Sequence, residues 1–302
     1  MLEINEKGKK YDAVVVSRTL HSRLLRLVVS HLEKNSQAAT IYLISSHAAQ
    51  QKNPFAGKKN LVILDEDSLI PSVSLQSLMD YFAKRGVKTD RVGWYYQQFL
   101  KMGMAVRPGI KDYYLIWDAD TIMLSPMCFF DQGGKVIMCK QKEHHPPYFE
   151  TYQRLLNQSR AADFSFIAEH MMITTQVMKQ LIEHIRPGSL KTGDWVWRIL
   201  EVIPDQHLEG AGFSEYETYG NFIHSHFPNM VKYRQAMSLR HAAHLFGIFP
   251  SPYDLYRLSR KYQYASFEEW NVGNPFRVGL EKLISLVLYP FIRWQSGIRK
   301  TP

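Results

Sequence analysis

Residues Tyr113–Thr121 read Tyr-Tyr-Leu-Ile-Trp-Asp-Ala-Asp-Thr. Five apolar or aromatic residues, Tyr113–Trp117, have the length and composition of a buried strand. The strand runs straight into Asp118 and Asp120, two carboxylates spaced i, i+2. On an extended chain such a pair points to one side. Two carboxylates held together repel, so a cation is the natural third party. Oxygen ligands suit Mg²⁺ or Mn²⁺, which in turn bind diphosphate oxygens. The bare Asp-x-Asp pattern also serves turns and helix caps. Its place after a buried strand favours the metal reading.

Upstream, Tyr11–Ser17, Thr40–Ser45 and Asn60–Leu64 are further strand-like runs. Helical spacing is found over Arg18–Lys34, Val73–Tyr81 and Gly93–Met104. Strand–helix–strand alternation at this spacing predicts an α/β fold, a mainly parallel sheet flanked by helices. In such sheets ligands bind at the carboxyl ends of the strands, where Asp118 falls. Further strands are expected at Lys135–Met138 and Met171–Ile173, and a weaker one at Gly220–His224. Further helices are expected at Pro147–Leu156, Thr175–Ile185 and Gly193–Val202.

The chain has 302 residues, 45% of them apolar, which suits a folded domain and excludes general disorder. Its two cysteines, Cys128 and Cys139, support neither a disulfide framework nor a zinc cluster. The opening residues are polar and charged, and no apolar run is long enough to span a bilayer, so a cytoplasmic location is expected. GxxxxGK[ST], GxGxxG and GxSxG are all absent, which removes the main support for P-loop, Rossmann and serine-hydrolase readings.

The net charge of +9 is unevenly placed: residues 231–302 hold 11 Lys/Arg against 4 Asp/Glu. After the loop Gly247–Tyr253, Leu280, Leu283, Ile284, Val287, Leu288 and Phe291 recur at helical spacing among Arg277, Lys282, Arg293, Arg299 and Lys300. This stripe has two readings, a terminal helix packed on the core or an amphipathic helix on an anionic membrane surface. The expected division is a main domain over 1–245 and a basic, amphipathic extension over 246–302.

Other segments carry polar groups among apolar ones. Phe213–Asn221 sets Glu215 and Glu217 among aromatics, as an acidic base or a polar turn before a strand. Phe164–Met171 interrupts an apolar run with Glu169 and His170, as ligand contacts or a satisfied buried pair. Arg91–Leu100 offers Arg91, Gln97 and Gln98 to a diphosphate or base, with packing as the other reading. His224, His226, His241 and His244 are candidates for a third metal ligand, and the loop at His144 and His145 for an acceptor wall.

The strand with its Asp-x-Asp resembles that of GT-A glycosyltransferases. Together with RVGWYYQQFLKMG, HHPPYFETY, SFIAEHM and FSEYETYGN, over about residues 10–245, it is similar to a bacterial family of glycosyltransferases found among surface-polysaccharide genes. The resemblance implies a GT-A-like fold and a nucleotide-sugar donor, a UDP-sugar first among them. It implies Mn²⁺ or Mg²⁺ at Asp118 and Asp120, with His226 slightly preferred as third ligand. Ser17, Arg18, Arg91 and Gln98 fall on the nucleotide side, with Asp118. Glu215, with Glu217 beside it, falls where inverting enzymes carry their base. His145, Glu169, His170, Trp195 and Tyr216 are expected around the acceptor, a saccharide or lipid-linked saccharide. The basic tail would then place the enzyme at the inner membrane face. Two other classes stay open: a non-catalytic module binding nucleic acid or anionic glycan, which leaves Asp-x-Asp unexplained, and a sugar nucleotidyltransferase.

Overall fold

The computed structural model describes residues 9–46, 48, 52–275, 278–281 and 283. Most of the expected C-terminal stripe, including Ile284, Val287, Leu288 and Phe291, lies outside the described residues, as do Arg277, Lys282, Arg293, Arg299 and Lys300. Ten strands are formed among the described residues: β1 (Asp12–Val16), β2 (Ile41–Ser45), β3 (Leu61–Asp65), β4 (Tyr113–Asp118), β5 (Thr121–Met123), β6 (Val136–Lys140), β7 (His170–Thr174), β8 (Val231–Gln235), β9 (Ser238–Leu239) and β10 (Tyr264–Ser266).

The chain divides into two compact units. The first takes the chain up to Leu20, then Ala38–Asp118 and Cys128–Ala236. Its centre is a five-stranded sheet of order β3-β2-β1-β4-β7. β3, β2, β1 and β4 run parallel, and β7 pairs antiparallel with β4. The mixed α/β architecture with a mainly parallel central sheet is thus as the strand–helix alternation requires. Every residue of β1 and β2 is buried, as strands covered on both faces must be, and this explains their near-continuous apolar sequence. Helices Leu75–Lys84, Val92–Gly103, Pro146–Leu156, Thr175–Ile185, Asp194–Val202, Asp205–Leu208 and Glu215–His226 belong to this unit. β6 and β8 form a separate parallel pair.

The strand order places a switch point between β1 and β4. From β1 the chain steps outward to β2 and β3, then returns to the other side of β1 as β4. Crevices for ligands open at such points, beyond the carboxyl ends of the strands. Val16 pairs with Asp118 there, so Ser17 and Arg18 leave β1 beside the end of β4.

The second unit comprises His21–Gln37, Ala119–Met127 and the chain from Met237. Its sheet has the order β5-β10-β9. The helix Arg23–Asn35 is capped by the Ser22 side chain, which accepts from the Leu25 amide. Asn35 Nδ2 donates to the Met123 carbonyl at 2.8 Å, and His31 Nδ1 stands 2.9 Å from the same oxygen, tying this helix to β5. Short helices Ala242–Phe246 and Pro252–Ser259 follow, the latter held by a capping box between Ser251 and Asp254. The described residues of the extension expected from 246 therefore group with 21–37 and 119–127. Among the described residues no helix is long and apolar enough to cross a membrane.

One expected element is corrected. The weak strand at Gly220–His224 is part of a helix, Glu215–His226. Ser214 starts it, its side chain accepting from the Glu217 amide, and Glu215 and Glu217 sit in the first turn where the helix dipole favours acids. Gly220 lets the helix approach Phe166: a Cβ there would stand 2.2 Å from the ring. The aromatic, β-favouring residues that suggested a strand are buried packing residues of this helix.

Candidate active site

Three elements of the first unit meet at the end of β4. The helix Val92–Gly103 supplies Lys101, β4 supplies Asp118, and the first turn of Glu215–His226 supplies Glu215 and Tyr216. Lys101 Nζ donates to Asp118 Oδ1 at 2.5 Å and to Glu215 Oε1 at 2.8 Å. The Tyr216 hydroxyl donates to the same Asp118 oxygen at 2.9 Å. Gln98, one turn before Lys101, accepts from the Glu215 amide through Oε1 at 3.1 Å, fixing the start of that helix. The Tyr114 hydroxyl donates to the Lys101 carbonyl at 3.1 Å. The Asp118 amide donates to the Glu169 carbonyl at 3.0 Å.

The electrostatics follow from burial. Lys101 and Glu215 are 3% and 4% exposed, whereas Asp118 is 27% exposed and so forms the open edge of the group. Burial alone would lower the proton affinity of Lys101, but the carboxylates of Asp118 and Glu215 outweigh it and hold the ammonium above the ordinary lysine range. Burial pushes Glu215 up. Lys101 acts against that shift, and the negative charge of Asp118 adds to it. One ammonium thus serves two carboxyl groups, of which Asp118 is the one open to solvent. The Tyr216 phenol is held far above its usual range by burial and by both carboxylates, so it stays a donor.

Other expected residues are placed as follows. Ser17 and Arg18 lie at the same sheet end, with Ser17 Oγ donating to the Thr19 carbonyl and Arg18 exposed. Arg91 Nε donates to the Gly210 carbonyl, and its guanidinium lies 4.3 Å over the Trp94 ring. His145 Nε2 donates to the Ala211 carbonyl at 2.8 Å. Glu169 is buried and sits in the left-handed region at φ +58°, a conformation that costs energy and is held by its surroundings. Asp120 belongs to the second unit, where its carbonyl accepts from the Phe267 amide and its Oδ1 from Thr121 Oγ1.

Four of the expected side chains are engaged with partners other than the Asp118 carboxylate. Glu217 is two positions beyond Glu215 on a helix, so the two side chains diverge instead of sharing a side as they would on a strand. Its Oε1 accepts from Ser165 Oγ and the Phe166 amide, and its Oε2 from Asn221. His226 closes the same helix, roughly 16 Å along its axis from Glu215, and pairs with the Phe222 carbonyl and Gln158. His170 is buried against Trp117 and Phe129, and burial depresses it to about 3, so it is neutral packing. Trp195, 1% exposed, meets Phe99 edge-on in the core.

Lys101 is the residue the sequence reading passed over. The signal was present: Gln98 and Lys101 lie three apart on the buried face of an aromatic helix. A lysine there must find carboxylates.

The carboxylate chemistry suits a hard divalent cation. Asp118 offers carboxylate oxygen at an open edge. Among the described residues no three His, Cys, Asp or Glu side chains converge as a metal cluster. Mg²⁺ is commonly held by one or two carboxylates, with phosphate oxygens and water completing its shell.

The family of unknown function DUF6492 matches over residues 9–280. No curated protein matches the sequence. Among solved structures, mouse xyloside xylosyltransferase 1 in its apo form is similar at a TM-score of 0.44 and 13% identity, over 88% of this chain and 100% of that one. The galactosyltransferase LgtC in complex with donor and acceptor sugar analogs is similar at 0.45 and 13%, over 96% and 97%. An active-site mutant of LgtC is similar at 0.43 and 14%, over 85% and 86%.

Proposed function

The chain belongs to the family of unknown function DUF6492, and from its own site we propose that it is a GT-A-like glycosyltransferase, moving a sugar from a nucleotide-sugar donor to a saccharide or lipid-linked saccharide acceptor. The observation that carries the reading is the Asp118–Lys101–Glu215 group, with Tyr216 on Asp118, at the switch point between β1 and β4.

On the i, i+2 spacing of the sequence alone, Asp118 and Asp120 are the residues that would hold Mn²⁺ or Mg²⁺, with the remaining positions left to diphosphate oxygens and water. When bound, such an ion offsets the negative charge that develops on the departing diphosphate. Ser17 and Arg18, beside Asp118, face the nucleotide end of the donor. Lys101 keeps its proton throughout, fixes the Asp118 carboxylate from behind and limits the repulsion between Asp118 and Glu215. In the transfer, the bond from the anomeric carbon to diphosphate oxygen breaks and a bond to an acceptor hydroxyl oxygen forms. The hydroxyl proton passes to a carboxylate, and Glu215, whose proton affinity burial raises, takes that role in an inverting reaction.

For location, we place the enzyme in the cytoplasm with its basic C-terminal region at the inner membrane face, where surface-polysaccharide acceptors are displayed. Support comes from the charge of residues 231–302 and from exposed Met237 and Trp270 in the second unit.

The test is Asp120→Ala. It should abolish metal-stimulated release of nucleotide from the donor while the thermal midpoint stays near that of the parent. Full turnover by the folded variant would remove the metal assignment.

A further inference from the structure

Within the first unit lies a cleft of about 690 Å³ that the reading above does not use. That volume is in the range of pockets that hold small molecules. Leu64 of β3, Leu69, Val106 and Leu190 line it. Its cations are Arg107, Lys179 on the helix Thr175–Ile185, and Lys191.

The register fixes its place. Leu64 pairs with Ile44, Ile44 with Val16, and Val16 with Asp118. Leu64 therefore stands level with Asp118, three strands away, or about 14 Å across the sheet. The cleft lies at the outer edge of the sheet, whereas the candidate active site lies at the switch point.

Its lining is selective in kind. Three cations and no carboxylate face it. Among the described residues none of the three cations forms an ion pair; Arg107 donates to the Pro108 carbonyl and lies over the Tyr42 ring. Carboxylates flanking the lining segments are engaged elsewhere: Asp65 and Asp67 with the amides of Ala48, Asp67 and Leu75 and the Tyr96 hydroxyl, Glu183 with the Gly188 amide and Asp194 with the Thr192 hydroxyl. No aromatic ring lines the cleft, so a base or sugar face has nothing to stack on. Ser68 is the one neutral hydrogen-bonding side chain in the lining, too few for a polyhydroxyl ligand. Aliphatic walls with a cationic rim match a phosphate ester of an aliphatic chain: the chain takes the place of water on the leucines, and the phosphate meets the cations.

We propose that this cleft binds a single-chain alkyl or isoprenoid phosphate, at a site separate from Asp118. The inference does not depend on the transferase reading.

Calorimetric titration of the full chain at low ionic strength tests it, with octyl phosphate below its micelle concentration as probe. Octyl phosphate should saturate one site, with inorganic phosphate and octanol at least about tenfold weaker. A Lys179→Gln/Lys191→Gln double variant should bind it about tenfold or more weakly with its thermal midpoint unchanged. Should the double variant melt early, Lys191→Gln alone, at an exposed side chain, gives the same reading. Asp118→Asn should leave octyl phosphate binding intact. The proposal is overturned if inorganic phosphate or octanol binds as tightly as octyl phosphate, or if uridine monophosphate displaces it. It is equally overturned if the lysine variants bind like the parent, if Asp118→Asn abolishes binding, or if no saturable binding occurs.

Discussion

Lys101 Nζ stands 2.8 Å from Glu215 Oε1, joining a helix before β4 to a helix 114 residues further along the chain. Both groups are almost wholly buried, and the same ammonium reaches Asp118. The candidate active site is therefore held together by one cation shared between two carboxylates.

Lys101→Met should destabilise the protein by about 3–5 kcal/mol at neutral pH, since it leaves two carboxylates with no compensating charge. Lys101→Arg should lose less in stability. The deficit of the Met variant should shrink towards low pH, because Glu215 with its raised proton affinity then becomes neutral. Urea unfolding at pH 5 and pH 7.5 checks this. Equal deficits at both pH values would contradict the shared-cation account.

Glu217 gives a pH signature of its own. Burial raises it to about 7 from 4.5, against the hydrogen bonds from Ser165 and Phe166. A carboxyl raised in the folded state is neutral in both states at low pH. Between 4.5 and about 7 the unfolded chain has released the proton and the folded chain still holds it, so stability falls as pH rises through that window. The loss attributable to this group is roughly 3 kcal/mol. Glu217→Gln should remove that part of the slope, measured as the difference in unfolding free energy between parent and variant across pH 4–8.

Gly220→Ala places a methyl group 2.2 Å from the buried Phe166 ring. Overpacking of this kind costs about 1–3 kcal/mol. Phe166→Leu in the same chain should return part of the loss, and the double-mutant cycle should show coupling. Additive effects would mean that the helix and the ring do not press on each other.

The fold was legible where local signals and burial agreed. Val14, Val15 and Ile44 sit in strands buried on both faces, and their continuous apolar runs announced a parallel sheet. Thr175–Ile185 was readable from its 3.6 period. Glu215–His226 was not, because every residue from Glu215 to Ile223 is buried, so no polar face marks the period. The site was half legible for a related reason. Asp118 was marked by the strand before it. Lys101 was hidden because its partners lie 17 and 114 residues away, a relation only the fold supplies. His226 came from the resemblance and Glu217 from its spacing to Glu215; the helix Glu215–His226 carries both away from Glu215.

Tyr216→Phe removes one of the hydrogen bonds to Asp118 Oδ1. A bond to a charged group contributes about 1.5–3 kcal/mol, and Lys101 remains, so the fold should persist. The expected result is a modest fall in thermal midpoint together with weaker donor binding. Donor titration of the folded variant checks it, and unchanged affinity would detach Tyr216 from the site.

The most direct measurement is nucleotide release from a panel of UDP-, GDP- and CMP-sugars with Mn²⁺, in parent and Asp118→Asn, with and without chelator. The account predicts release from one donor that chelator suppresses and that Asp118→Asn loses while remaining folded. Release by Asp118→Asn at the parent rate would contradict it. So would a parent protein that, across the whole panel, neither releases nucleotide nor is stabilised by any of the nucleotides.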